Sequence, residues 1–102
     1  MKFMVDIDGT ICDSLSSDYS KSEPILERIT KINSLVDAGH EVHYWTARGG
    51  SSGKDWSLFT IKQLNAWGCK YTSISFKKPV YDIWIDDKAI NSETYFESLS
   101  HR

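Results

Sequence analysis

Apolar and polar positions alternate along this chain in blocks that read as strand and helix in turn. Lys2 to Ile7 is a short, mostly apolar run and the first predicted strand. After a polar, serine-rich stretch from Gly9 to Lys21, the residues Ile25, Leu26, Ile29, Ile32, Leu35 and Val36 recur at helical spacing. Ser22 is expected to cap that helix, with Pro24 in its first turn and Gly39 stopping it. Glu41 to Thr46 predicts a second strand, and Arg48 to Gly53 a glycine- and serine-rich loop. Trp56, Phe59, Gln63 and Trp67, with Leu58, Ile61 and Leu64 beside them, predict a helix buried over a wide arc and ended by Gly68. Tyr71 to Phe76 reads as a third strand, Lys78-Pro79 as a break and Tyr81 to Ile85 as a fourth strand. Ser92 to Leu99 reads as a short terminal helix.

This alternation predicts an α/β fold with right-handed crossovers. The expected form is a Rossmann-like three-layer sandwich with a small parallel sheet in the order 3-2-1-4. Strand one then lies in the middle and a ligand crevice at its switch point. At 102 residues the chain is expected to be one domain, 1–102. The net charge of −2 gives no electrostatic footprint for nucleic acid or an anionic membrane, and no stretch approaches a membrane span. Cys12 and Cys69 lack metal-site spacing and follow no signal peptide, which predicts reduced thiols in a cytoplasmic protein.

The chemistry gathers where strands are expected to end. Strand one runs into Asp6-Ile7-Asp8-Gly9-Thr10, and two carboxylates two residues apart leave a regular strand on the same side. At close range they repel, so the pair needs a cation between them or a proton on one. Both conditions suit metal-assisted phosphoryl transfer, with one carboxylate as nucleophile and the other as general acid/base. Gly9 permits the turn that follows and Thr10 can tie it to the backbone. Thr46 ends strand two, where its hydroxyl and the amides of Ala47 and Arg48 can hold phosphate oxygens. Lys78, with Lys77 as competitor, precedes Pro79 and the expected fourth strand, where Ile83-Trp84-Ile85-Asp86-Asp87 repeats the opening design. The loop from Gly49 to Asp55 fails the P-loop pattern, leaving Arg48 available to a second anionic group on the substrate. His43 is expected to be a packed or capping residue.

The run from Asp6 to Thr10 resembles the Asp-x-Asp-Gly-Thr signature of the haloacid dehalogenase superfamily, whose members are mostly magnesium-dependent phosphatases. Thr46, Lys78 and the Asp86-Asp87 pair are similar to its second, third and fourth motifs, in order. Trp-Thr-Ala-Arg-Gly, Lys-Pro-x-x-Asp and Ile-Asp-Asp-Lys-Ala also look like a subgroup of very small bacterial phosphatases linked to capsular or surface polysaccharide biosynthesis. The resemblance implies catalysis by Asp6, Asp8, Thr46 and Lys78, and substrate binding by Gly9, Thr10, Ala47 and Arg48. It implies Mg²⁺ held by Asp6, the Asp8 carbonyl and Asp86, with Asp87 a more distant or water-mediated ligand. The chain departs from larger relatives in that its longest interruptions, Gly9 to Lys21 and Arg48 to Lys54, are too short for a folded cap domain, so a core without a cap is expected. The expected reaction is hydrolysis of a small phosphorylated metabolite or sugar phosphate through an aspartyl-phosphate, with Asp8 initially protonated. A nucleotide or nucleic-acid 3′-phosphatase is the alternative, and a non-catalytic binding domain another. A phospho-accepting receiver is disfavoured because no aspartate ends a strand ahead of Thr46. With no cap, the open site is expected to be covered in a homo-oligomer or to accept substrates loosely.

Overall fold

The computed structural model describes residues 1–14, 18–50 and 53–97. Its elements are β1 (Lys2–Val5), β2 (Cys12–Asp13), a 3₁₀ turn (Tyr19–Lys21), β3 (Glu23–Pro24), α1 (Leu26–Asp37), β4 (Glu41–Trp45), α2 (Ser57–Ala66), β5 (Ser73–Ser75) and α3 (Ser92–Tyr95). The end of the expected terminal helix, Ser98 and Leu99, lies outside the described residues, as does His101.

Three strands form a parallel sheet in the order β1-β4-β5, with Val5 opposite Tyr44 and Trp45 opposite Ser75. Alternation decides which side is buried. Val42 and Tyr44 are fully buried on β4, while Glu41 is exposed and His43 and Trp45 are half-buried. Ile29 and Ile32 of α1 and Leu64 of α2 join Val42 and Tyr44 in one core cluster, with Ile7, Ile11 and Phe96. Glycines at positive φ end the two longer helices: Gly39 after α1 and Gly68 after α2.

Two expectations are corrected. Tyr81 to Ile85 forms no strand, so the sheet stops at β1, and the first strand lies at an edge rather than in the middle. The segment takes local partners in place of a ladder. Trp84 packs edge-on against Trp45 at 5.5 Å and tilted against Tyr81 at 5.0 Å, and its indole donates to Asp86 at 3.2 Å. Ile83 and Ile85 are left 79% and 94% exposed. Ser22 and Pro24 do not open the first helix either. Pro24 pairs with Cys12 in a short antiparallel ladder, and α1 starts at Leu26 without a side-chain cap. Proline tolerates an edge strand, and the Ser22 hydroxyl is spent on Ser14 at 2.7 Å.

Candidate active site

The chain leaves β1 at Val5 and hooks back on itself. Thr10 and Ile11 donate their amides to Ile7 O at 3.1 and 3.0 Å, and Gly9 donates to Cys12 O at 2.9 Å. Gly9 sits at φ +80°, a conformation that side-chain-bearing residues rarely adopt, so the hook needs glycine there. The fold-back buries Ile7 completely and turns the acids on either side of it toward one cavity of about 260 Å³. Asp6, Asp8, Thr46, Ala47, Arg48 and Lys78 line it, with Tyr19 and Pro79 to Tyr81 at its walls. All four residues expected to be catalytic therefore meet at one place. Gly9 and Thr10 act from behind: Thr10 Oγ1 donates to Asp6 Oδ2 at 3.3 Å.

Each carboxylate in the cavity has its own cation. Lys78 Nζ lies 3.1 Å from Asp6 Oδ1, with Trp45 and Tyr81 rings 5.9 and 5.3 Å from the ammonium. Lys78, rather than Lys77, is the lysine that lines the cavity. Arg48 grips Asp8 with two parallel bonds, Nε to Oδ2 at 2.9 Å and a terminal nitrogen to Oδ1 at 2.8 Å. Burial alone would raise the Asp8 pKa. Hydrogen bonds from Arg48 and Ser14, with the Arg48 charge, outweigh it and hold the carboxyl below its ordinary value. Asp8 as placed accepts both Arg48 bonds and the Ser14 hydroxyl, an arrangement that favours its carboxylate form. Burial pushes the neighbouring Cys12 thiol up to about 11, which leaves it unreactive at neutral pH.

Thr46 is 1% exposed. Its hydroxyl accepts the Arg48 amide at 3.1 Å and its carbonyl accepts the Lys78 amide at 3.3 Å, so the end of β4 holds both cationic residues in place. Arg48 itself is 4% exposed and committed to protein groups, contrary to the expectation that it waits for a second substrate anion. Its partners Thr60 and Gln63, at 3.1 and 2.7 Å, were missed among the sequence candidates. The signal was present: Thr60 and Gln63 are polar residues at i, i+3 within the arc of α2 expected to be buried, and of that arc the structure buries Thr60 and Leu64 while leaving Leu58 64% exposed.

Asp86 and Asp87 do not line the cavity. They sit in an exposed turn that Asp86 closes by accepting the Lys88 amide at 2.9 Å. Among the described residues no three acidic, histidine or cysteine side chains gather as a metal cage. Mg²⁺ wants several oxygen donors in near-octahedral array. In this arrangement the Asp6 and Asp8 carboxylates are paired with Lys78 and Arg48, and these two side chains alone do not complete such an array.

No family model and no curated protein matches the chain. Its fold is similar to that in the crystal structure of an MCSG target from Vibrio cholerae, with a TM-score of 0.78 and 23% identity. The likeness covers 98% of this chain and 94% of that one. At that identity it is the fold that is shared. No described helix is long and apolar enough to cross a membrane.

Proposed function

We propose that the protein is a phosphate monoester hydrolase of the haloacid dehalogenase type, with Asp6 as nucleophile. The observation that carries this reading is the setting of Asp6. It is a partly open carboxylate at the floor of a small cavity, with Lys78 at 3.1 Å and Thr46 and Ala47 beside it. An Asp6 oxygen attacks phosphorus in line and the ester P–O bond breaks, giving an aspartyl-phosphate and an alkoxide that takes its proton from solvent water in the open cavity, leaving as the alcohol. Lys78 carries negative charge on the phosphoryl oxygens, and the groups at the end of β4 supply further donors. Asp8, held ionised by Arg48, suits the second half: it accepts a proton from the water that attacks the phosphoryl group and releases phosphate. A cavity of about 260 Å³ suits a small phosphorylated metabolite or sugar phosphate better than a polynucleotide.

A Rossmann-like three-layer core, Mg²⁺ dependence, homo-oligomer formation and a cytoplasmic setting belong to the same proposal. For Mg²⁺, the missing oxygen donors are those of Asp86 and Asp87, so cation binding entails movement of residues 79–90 toward Asp6. The whole stretch is exposed, and the ring contact that such a movement would disturb is that of Trp84 with Trp45. The experiment is phosphate release across a broad library of monoesters by the wild-type chain and by Asp6→Asn. Release by wild type and none by the variant supports the reading, and equal release by both overturns it.

A further inference from the structure

Arg48 lines the cavity and carries a charge opposite to phosphate, yet its hydrogen bonding leaves little for a ligand. A guanidinium offers five N–H donors. Four are taken: two by the Asp8 carboxylate at 2.9 and 2.8 Å, one by Thr60 Oγ1 at 3.1 Å and one by Gln63 Oε1 at 2.7 Å. Two-pronged recognition of phosphate needs a pair of parallel N–H groups, and at most one donor remains. The Tyr19 ring covers one face of the group at 4.5 Å, and the side chain is 0% exposed.

We infer that Arg48 is a positioning residue, which fixes the Asp8 carboxylate from behind the cavity, and that Gln63 of α2 sets its orientation. The inference rests on the phosphatase reading for its catalytic consequence but not for its geometry. Gln63 is the hub. Its Oε1 receives Arg48, while its Nε2 donates to the Tyr19 carbonyl at 2.9 Å. One side-chain amide thus ties the 3₁₀ turn at the cavity wall to the guanidinium that holds Asp8. Lys78 is then the cation left to meet the phosphoryl group. The role divides cleanly: Lys78 faces substrate, and Arg48 faces the protein.

The test combines kinetics with an NMR signal that needs no turnover, the Arg48 Nε–Hε resonance. A buried, doubly anchored guanidinium gives a resonance protected from water exchange. That resonance should shift in Asp8→Asn, lose protection in Gln63→Met, and stay unmoved when inorganic phosphate is titrated into the wild-type chain. Arg48→Lys keeps the charge but not the fork. It should lower kcat on the order of 10²-fold, as expected for a displaced general base, with KM within about twofold. Gln63→Met, which deletes no charge and is the safer variant for folding, should show the same split at smaller size. A phosphate-dependent Arg48 shift, or a raised KM with unchanged kcat in either variant, would overturn the inference. Were the wild-type chain inactive on every ester, the phosphatase reading would fall, and the resonance alone would decide whether Arg48 serves Asp8 or an anion.

Discussion

Two stretches of this chain share one design and meet opposite fates. Met4-Val5-Asp6-Ile7-Asp8 and Ile83-Trp84-Ile85-Asp86-Asp87 are both apolar runs that end in acids. The first pairs with β4, buries Ile7 completely and gives each acid a cation. The second pairs with nothing in the sheet, exposes Ile85 by 94% and spends Asp86 on its own turn. An apolar run becomes a strand when a neighbour supplies a ladder, and acids become a site when cations and hydroxyls converge on them. Neither condition is local to the run.

The largest expected effect separates the nucleophile from its look-alike. Asp6→Asn should lower phosphate release roughly 10³-fold or more, in the range seen when a nucleophile is removed. Asp86→Asn assayed without added metal should leave whatever release occurs within about twofold. Equal losses would erase the distinction between the two runs.

Stability should divide the same way. Ile7→Ala removes a fully buried side chain and should cost about 2–5 kcal/mol. Ile85→Ala, at 94% exposure, should stay within about 0.5 kcal/mol. Denaturant melts of both variants measure this, and a large loss at Ile85 would mean that the second run is packed in solution.

A divalent cation offers a way to merge the two regions. Mg²⁺ should raise phosphate release, and Asp86→Ala should increase the Mg²⁺ concentration required about tenfold or more. Because Trp84 lies two residues from Asp86 and against Trp45, the same titration should change tryptophan emission. Activation with no emission change would mean that the cation binds while residues 79–90 stay where they are.

A smaller difference lies in pH. The Asp8 pKa is depressed, so its contribution to stability is present above the unfolded carboxylate value near 3.9 and is lost as pH falls through the lower folded value. Unfolding free energy measured from about pH 6 downward should therefore decline in the acid range, and less steeply in Asp8→Asn. Identical slopes would show that the Arg48 grip does not act on the folded state. The smallest effect is association: Met4, Ile83, Ile85 and Ile90 are all more than half exposed. Light scattering should show mass rising with concentration, and a strict monomer would count against an oligomer.

Much of this was readable in advance. The helical spacing from Leu26 to Val36 and the apolar strands around Phe3 and Val42 follow from periodicity, and the place of Asp6 and Thr46 follows from where those strands end, whereas Lys78 was pointed to by the family resemblance, with Lys77 as competitor. What was not readable depends on partners distant in the chain. Ser22 looks like a helix cap until Ser14 takes its hydroxyl, and Arg48 looks free until α2 brings Thr60 and Gln63 to it. The strand expected at Tyr81 failed for the same reason: whether β1 accepts a neighbour on its outer edge is a property of the assembled sheet.

The pairing of Asp6 with Lys78 and Asp8 with Arg48 also has a kinetic consequence. The two acids and two bases cancel at the cavity floor, so the cavity projects little net field into solvent. An anionic ester arriving there gains no long-range acceleration, unlike one drawn to a cleft lined by unpaired cations. Its association rate should be almost flat as ionic strength rises, because screening has little attraction to remove. Recognition of charge would then begin only at contact, when the phosphoryl group competes with Asp6 for the Lys78 ammonium.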